Sequence, residues 1–527
     1  MKRLKVITMA VVFLVICVFG SYPANAQTIT AKEVDKLVER TMETFEVPGI
    51  AVAIVKDGSV IHAKGYGLRS LNSKKKVNKN TLFGIASNSK AFTTAALGIL
   101  IDEDKLKWDD KVIDYIPEFR LYNSYVTEEF TIRDLLTHRS GLGLGAGDLM
   151  IFPDSSNFTI ADVIHNLRYL KSVSSFRSKF DYDNLLYIVA GEIISRISGL
   201  SWEEFVEERI MKPLGMDGSA GNFDRVKDKS NIADAHALIE KKIKVVDRYD
   251  LQITSAAGGI YSSVQDLSLW VIMQLDSGKY GENRAAQLFS EKVHKEMWSP
   301  QTILPVRSGG QYNTHFRAYG LGWGLSDIKG YKQVSHTGGL PGMVTQVTLL
   351  PELKLGIIVL TNQQSGAAFA SITNQIKDSC LGITGTDRIK ENYERVKSRK
   401  ESAKKITTKV WNEITAQQKD EISEEVDLEL YLGTYKDNWF GEVVISKKND
   451  KLWFYSKRSP KLTGELLFYK GNTFIVKWKD RSLDADAFVL FELDYSGKTS
   501  GIKMKAISPL TDFSYDFHDL EFFKEED

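Results

Sequence analysis

Apolar, β-rich runs predict strands near both ends of the first 385 residues, and helical spacing dominates between them. AKEVDKLVERTMETF (31–45) has the apolar spacing of an amphipathic helix, and GIAVAIVKDGSVIHAKGYG (49–67) predicts a β-hairpin. Helical patterns follow from about 84 to 270. Four later runs predict strands and a last one predicts a helix: 318–326, 331–338, 343–352, 355–362 and 367–380. We therefore predict one α+β domain over residues 27–385, with a sheet assembled from both ends of the segment.

The pattern changes after residue 385. Residues 386–426 are dense in charged side chains and poor in large apolar ones, which favours a solvated helical connector. Residues 427–527 contain short β-rich runs separated by turns, so we predict a separate small all-β domain, either a barrel or a sandwich. Four aromatic residues there either fill its core or offer a surface on which a glycan could stack: Trp439, Trp453, Phe454 and Trp478.

The first 26 residues have the organisation of a secretory signal peptide. Basic MKRLK precedes the apolar run ITMAVVFLVICVFG, and small residues at Ala24 and Ala26 form a cleavage site after residue 26. A lipoprotein cleaved before Cys17 is the weaker alternative, because small residues are missing just before that cysteine. The apolar run is short for a bilayer span, so no stable membrane span is expected after cleavage. We predict a periplasmic or secreted protein.

Composition narrows the classes of function. The formal net charge is +1 and no long basic stripe is present, so nucleic-acid binding is not expected. Of the two cysteines, Cys17 leaves with the signal peptide, and Cys380 alone cannot form an intramolecular disulfide. No ligand cluster suggests a metal or an organic cofactor, and we expect neither.

Ser-x-x-Lys, a pattern in which a lysine can activate a serine, starts at five positions: Ser73, Ser87, Ser326, Ser402 and Ser500. Ser87 differs because AFTTAALGILI, eleven residues without a charge, follows Lys90 and predicts a buried helix. Residues three apart share a helical face, so Ser87 and Lys90 should lie together at the N-terminal end of that helix. A buried lysine with a lowered pKa can take the serine proton. The alternative is a buried lysine that carbonyl groups satisfy.

Two further segments carry side chains suited to the same chemistry. Tyr182 and Asn184 form the only Tyr-x-Asn of the chain, just before an apolar helix. A tyrosine beside a lysine can ionise near neutrality and move protons, and the asparagine can hold the lysine or a substrate carbonyl. The stretch His-Thr-Gly-Gly (336–339) ends a predicted strand, where N–H groups of Gly339 and Ser87 can form an oxyanion hole. Alternatively, these segments are a loop, a helix cap and a turn.

In this order, Ser-x-x-Lys, Tyr-x-Asn and His-Thr-Gly resemble the signature of penicillin-recognising serine hydrolases. The stretches TLFGIASNSKAFT (81–93), FDYDNLLYIVAG (180–191) and HTGGLPGM (336–343) resemble the class C β-lactamase-like branch, which also holds D-peptidases and esterases. The resemblance covers about residues 30–380. It implies a serine β-lactamase/DD-peptidase-like fold, with an antiparallel sheet flanked by helices and an all-helical region. Some members also carry an extra C-terminal β-barrel, which can approach the cleft and shape specificity.

The resemblance implies a role for each matching residue. Ser87 would be acylated, and Lys90 and Tyr182 would move protons. The residues that would orient substrate are Asn184, His336, Thr337, Gly338 and Gly339. His138 belongs to the family's Leu-Leu-Thr-His-x-Ser-Gly loop and is interpreted as structural.

We therefore expect an exported serine hydrolase that forms an acyl-enzyme on small-molecule or peptide substrates. Peptides, amides and esters are the expected classes, with D-amino-acid-containing and peptidoglycan-derived compounds among the candidates. A β-lactamase or DD-carboxypeptidase is the alternative within this chemistry. His336 counts against it, because β-lactamases carry a lysine there and a neutral histidine offers no cation to the carboxylate of penicillins. A non-catalytic peptidoglycan- or glycan-binding or sensor protein is the alternative of another class.

Overall fold

The computed structural model describes residues 29–306, 310–419 and 426–526, so the predicted signal peptide, residues 1–26, lies outside the described residues. The helices, in chain order, are α1 (Ala31–Phe45), α2 (Ser89–Asp102), α3 (Val112–Tyr115), α4 (Ser124–Glu129), α5 (Ile132–Leu136), α6 (Ile160–Asn166), α7 (Leu185–Ser198), α8 (Trp202–Val206), α9 (Lys212–Leu214), α10 (Val264–Leu275), α11 (Glu291–Met297), α12 (Gly366–Cys380) and α13 (Arg388–Lys419). The strands up to the connector are β1 (Gly49–Lys56), β2 (Ser59–Gly67), β3 (Phe83–Gly84), β4 (His236–Ile239), β5 (Lys242–Val245), β6 (Tyr261–Ser262), β7 (Lys279–Tyr280), β8 (Ala286–Gln287), β9 (Thr302–Leu304), β10 (Arg317–Tyr319), β11 (Gly324–Ile328), β12 (Tyr331–Leu340), β13 (Met343–Leu350) and β14 (Leu355–Thr361).

Eight of these strands form the main sheet, in the order β2-β1-β14-β13-β12-β11-β10-β9. One pairing joins the two ends of the domain, because β1 lies antiparallel to β14 with Ile50 opposite Thr361. The prediction of a sheet assembled from both ends of the chain is confirmed. Strand β1 is buried on both faces, which explains its run of apolar residues without alternation.

The two faces of the sheet are covered by different helices. Helices α1 and α12 bury one face, where Val38 and Ile372 pack against Val52. The other face belongs to a larger core that includes the buried helices α2, α7 and α10. No single helix within 29–306, 310–419 and 426–526 is long and apolar enough to cross a membrane, although the bent pair Leu185–Ser198 and Trp202–Leu214 would qualify if joined.

One predicted strand is wrong. Residues 318–326 were expected to be continuous, but they form parts of β10 and β11 with a turn between them. Gly322 adopts the left-handed conformation in this turn, with a φ of 76°, and a Cβ there would lie 2.7 Å from the Thr94 hydroxyl of α2. The glycines of YGLGWG therefore permit a tight turn against the helix rather than an extended strand.

The C-terminal domain is a closed barrel rather than a sandwich. Its strands are β15 (Gly433–Asp437), β16 (Gly441–Lys448), β17 (Lys451–Ser456), β18 (Thr463–Lys470), β19 (Thr473–Trp478), β20 (Ala487–Leu493), β21 (Thr499–Ala506) and β22 (Phe522–Lys524). Trp439, Phe454 and Trp478 are at most 3% exposed, so they are part of the barrel core and not a glycan-stacking surface. Trp453 is half-buried.

The charged segment before the barrel forms the single helix α13, but it is not solvated on all sides. Ala403, Val410 and Ile414 are buried, and the last two pack with Ile475 and Ile507 of the barrel. The expectation of a solvated connector is corrected on this face, because a few apolar residues at helical spacing are enough to dock a mostly charged helix. The domain boundaries 27–385, 386–426 and 427–527 stay predictions.

Candidate active site

Ser87 lies in a 3₁₀ turn, Ala86–Asn88, directly before α2. Ala86 has a φ of 51°, a left-handed conformation that is costly for a residue with a Cβ. Thr345 of β13 holds the turn, since its hydroxyl donates to the Ile85 carbonyl over 2.9 Å and accepts from the Asn88 amide over 2.9 Å. The Ser87 side chain is partly exposed, as a nucleophile that must reach a substrate requires.

Lys90 lies in the first turn of α2 and is completely buried. Its Nζ donates to Ser87 Oγ over 3.1 Å, to Asn184 Oδ1 over 2.8 Å and to the Ala257 carbonyl over 2.9 Å. Burial lowers the pKa of Lys90 to about 7, although the nearby Asp148 and Asp183 oppose this shift. Near neutral pH the amine therefore exists in both protonation states, and its neutral form can accept the Ser87 proton.

Tyr182 packs beside the lysine, with Lys90 Nζ 4.9 Å from its ring centroid. Burial raises the pKa of Tyr182 far above its ordinary value, and the Ser87 side chain opposes this shift only in part. A raised pKa favours the protonated phenol near neutral pH, so Tyr182 would move protons through its neutral hydroxyl, and this role stays a prediction. The buried ring of His138 lies 4.1 Å from that of Tyr182, in keeping with a structural role for His138.

Asn184 stands at the start of α7 but does not cap it with its side chain. The neighbouring Asp183 accepts the Leu185 N–H instead, over 2.8 Å. The Asn184 amide is used in the site, where its Oδ1 accepts from Lys90 and its Nδ2 donates to Asp148 Oδ2 over 2.8 Å. The helix-capping alternative for this asparagine is thereby excluded.

His336 lies on β12, and both of its ring nitrogens have partners inside the protein. Nε2 accepts from the Tyr319 hydroxyl over 2.9 Å, and Nδ1 donates to the Thr337 carbonyl over 2.6 Å. Burial lowers the pKa of His336 to about 3, so the ring is neutral at physiological pH. It offers no positive charge to an anionic substrate, and direct contact between His336 and substrate stays a prediction.

Gly338 and Gly339 are neighbours on β12 but have different surroundings. A Cβ on Gly338 would lie 2.2 Å from the Ile85 carbonyl oxygen, so only glycine allows the strand to approach so closely. A Cβ on Gly339 would meet nothing within 4 Å, and both Gly339 and Thr337 are exposed. The strand thus presents an open face next to the serine turn, and the oxyanion hole of Ser87 and Gly339 stays a prediction.

The sequence did not indicate three buried polar residues near this site. Asp148 contacts Asn184, and Ser514 and Asp516 of the barrel lie against the segment around Asp148. A lone aspartate inside the apolar stretch GLGLGAGDLM was the available signal for Asp148. In the part of the chain that the structure describes, no three His, Cys, Asp or Glu side chains are grouped so that they could hold a metal ion.

The fold and the Ser87–Lys90 pair define a serine hydrolase at the level of its class. Comparison with known sequences gives the family: the Beta-lactamase family model matches residues 34–379, so the chain belongs to the Beta-lactamase family. Residues 417–524 match a second family, described as a domain of unknown function, DUF3471.

Several known proteins are similar to this chain. Unguisins hydrolase ungD of Aspergillus violaceofuscus is 28% identical over 391 residues, which are 70% of this chain and 68% of that protein. Protein flp of Staphylococcus aureus (strain NCTC 8325) is 28% identical over 337 residues, or 63% of each chain. The octameric penicillin-binding protein homologue from Pyrococcus abyssi superposes with a TM-score of 0.59 at 21% identity, covering 94% of this chain and all of that chain, and shows the shared fold.

Proposed function

We propose that this protein is an exported serine hydrolase that forms an acyl-enzyme at Ser87 on peptide, amide or ester substrates. The observation that carries the proposal is the 3.1 Å hydrogen bond between Lys90 Nζ and Ser87 Oγ, made by a buried amine with a pKa of about 7. A serine hydroxyl needs such a neighbouring base before it can attack a carbonyl.

The proposed acylation begins with neutral Lys90. Ser87 Oγ bonds to the substrate carbonyl carbon, its proton passes to Lys90 Nζ, and the carbonyl electron pair moves to oxygen. When that pair returns, the C–N or C–O bond to the leaving group breaks. The leaving group takes a proton from the Lys90 ammonium, either directly or through the Tyr182 hydroxyl. Water then attacks the ester carbon by the reverse proton path, and Ser87 is released.

The free edge of β12 supports a peptide-like substrate. Strand β11 pairs with β12 only as far as Ser335, whereas β13 continues alongside as far as Leu340. Among the described strands, the segment from His336 to Leu340 therefore has a partner on one side only. An extended peptide can add itself to such an edge through backbone hydrogen bonds. Peptides with D-residues, including peptidoglycan fragments, are among the candidates.

A neutral site favours substrates without a carboxylate next to the scissile bond. His336 is uncharged and its nitrogens are engaged with Tyr319 and Thr337. The name of the similar unguisins hydrolase describes a hydrolase and agrees with the proposed class of reaction. β-Lactamase activity is the second candidate, because the chain belongs to the Beta-lactamase family, and the uncharged His336 counts against efficient turnover.

The proposal is tested with the mature protein and a fluorophosphonate probe, which reacts with activated serines. We expect one added mass on the peptide that contains Ser87, and none in Ser87→Ala. Turnover is then screened on p-nitrophenyl esters, L- and D-aminoacyl p-nitroanilides and nitrocefin. Labelling that is absent, together with equal turnover by wild type and Ser87→Ala, would refute the proposal and leave the non-catalytic binding protein as the better hypothesis. N-terminal sequencing of the cell-processed protein tests export, with Gln27 as the expected first residue.

A further inference from the structure

A loop of the C-terminal barrel, residues 512–517, lies against the segment 145–149 of the hydrolase domain. Asp516 accepts the backbone N–H of Gly147 over 2.7 Å and that of Leu149 over 3.0 Å. Gly147 has a φ of 76°, so the segment makes a tight turn that these two bonds hold. The Phe513 ring packs edge-on against Tyr182, with 5.8 Å between the centroids. The barrel loop therefore reaches the site itself and not only the rim of the domain.

An unbroken chain of hydrogen bonds runs from this loop to the nucleophile. Ser514 Oγ donates to Asp148 Oδ2 over 2.8 Å, and the same oxygen accepts from Asn184 Nδ2 over 2.8 Å. Asn184 Oδ1 accepts from Lys90 Nζ over 2.8 Å, and Lys90 lies 3.1 Å from Ser87 Oγ. The barrel serine and the nucleophilic serine are thus connected through three side chains.

This series of hydrogen bonds determines which end of the Asn184 amide faces Lys90. An asparagine side chain has a donor end and an acceptor end. Because Asp148 Oδ2 accepts, Asn184 must direct its NH₂ group there and its oxygen to Lys90. The opposite orientation would direct N–H groups at the Lys90 amine and remove an acceptor from its charged form. Asp148 thereby fixes the polarity of the amide without touching the substrate.

Keeping Asp148 and Asp516 at this place is costly for the fold. Both are completely buried, and one Asp148 oxygen, Oδ1, has no hydrogen-bond partner. Burial raises the pKa of each carboxyl well above its ordinary value. For Asp148, whose Oδ1 has no partner, an apolar residue of similar volume would fill the same space at lower cost, whereas Asp516 also satisfies two backbone N–H groups. The position of both residues beside the Lys90 network points to a role in the site.

We propose that the barrel loop is part of the active site: Ser514 and Asp516 position Asp148, and Asp148 orients Asn184 so that Lys90 is held in its productive place. Ser514, Asp516, Asp148 and Asn184 act on the reaction through Lys90. The inference rests on the proposed acyl-enzyme function and assigns to this site a requirement for the second domain.

The pH dependence of acylation reports on this network, because it follows the protonation of Lys90. The titratable groups that surround Lys90 or act on it electrostatically are Asp148, Asp183, Tyr182, Tyr187, His138 and His336. Loss of the properly oriented Asn184 oxygen removes an acceptor from the charged amine and so lowers the pKa of Lys90. The midpoint of the rate profile should then move to lower pH, while the plateau rate falls because Lys90 is no longer held.

The test compares fluorophosphonate labelling rates between pH 5 and 9 for the full-length mature protein and three variants. Ser514→Ala should lower the plateau rate by about tenfold, as expected for a lost buried hydrogen bond, and should move the midpoint to lower pH. Ser514→Thr keeps the hydroxyl and should restore most of both. Ser446→Ala removes an exposed barrel serine and should match wild type.

The outcomes separate the two proposals. If wild type is labelled and Ser514→Ala keeps its rate and midpoint, the inference is overturned while the proposed function stands. If Ser514→Thr fails as badly as Ser514→Ala at unchanged melting temperature, the hydrogen bond is not the cause and the inference is again overturned. If wild type is not labelled at all, the proposed function fails and the inference with it. Asp148→Ala removes the oxygen that accepts from Ser514 and Asn184, so it should show the same changes as Ser514→Ala at larger size, and a wild-type profile for it would contradict the proposal.

Discussion

Two lysines in this protein have nearly the same electrostatic character but very different surroundings. Lys90 and Lys377 are 0% and 4% exposed, and burial lowers the pKa of each to about 7. Lys90 lies beside a partly exposed serine. Lys377, on α12, donates to Gln333 Oε1 over 2.7 Å and lies 4.3 Å from the ring centroid of Tyr312.

The difference shows that a lowered lysine pKa does not by itself identify a catalytic base. Burial away from any nucleophile produces the same shift in Lys377, and of its charged neighbours Arg388 adds to the shift while Asp378 opposes it. What distinguishes Lys90 is a hydroxyl within hydrogen-bond distance that a substrate can also reach. Changing each lysine and its hydrogen-bond partner tests this distinction.

The largest difference is expected from removing each amine. Lys90→Met should slow acylation of Ser87 by more than about 10³-fold, because the serine loses its base. Lys377→Met removes an equally buried amine and should change the rate by less than about twofold. Labelling rates with the fluorophosphonate probe measure both, and far-UV circular dichroism checks that both variants fold. Comparable losses in the two variants would show that burial of a lysine, and not its neighbourhood, controls activity.

Removing the hydrogen-bond partner of Lys90 should slow acylation, whereas removing the partner of Lys377 should not. Asn184→Ala removes the amide that holds Lys90 and should lower the acylation rate by roughly ten- to a hundredfold. Gln333→Ala, the matched change at Lys377, should leave the rate within about twofold. Burst amplitudes with p-nitrophenyl esters provide an independent readout. An Asn184→Ala enzyme as fast as wild type would mean that Lys90 is held by Ser87 and Ala257 alone.

The pH dependence of acylation should reflect the protonation of Lys90 and be independent of Lys377. The neutral amine accepts the Ser87 proton, so the rate should be low in acid, rise through a midpoint near pH 7 and level off above it. Between pH 8 and pH 6 the rate should fall by roughly tenfold. Lys377→Met should give the same profile. If the midpoint moved in Lys377→Met, the pH profile would report the protonation of Lys377 and not that of Lys90.

Local chemistry explains which parts of the site the sequence could predict. Ser87 and Lys90 are three residues apart on a helical turn, so spacing and a charge-free helix were enough to pair them. Asn184 and His336 were found through motifs, yet the protonated state of Tyr182 depended on burial that no motif encodes. Ser514 lies 366 positions from Asp148 along the chain, and no local pattern marks that contact. The sheet was predictable from its β-rich apolar runs, whereas the turn at Gly322 required knowledge of how closely α2 approaches.

The smallest expected effect concerns stability and involves Lys377. Its pKa is about 7 in the folded state, below the roughly 10.4 of an unfolded lysine, so between these values the unfolded state binds more protons and stability rises with pH. Raising the pH from 7 to 8.5 should therefore stabilise wild type by about 1.5 kcal/mol more than Lys377→Met. Lys90 contributes equally to both proteins, so the difference isolates Lys377. Urea unfolding at the two pH values measures it, and Lys405→Met, which removes an exposed lysine, should behave as wild type. Equal stabilisation of wild type and Lys377→Met would mean that the buried amine keeps its ordinary pKa, and the electrostatic likeness of the two lysines would not hold.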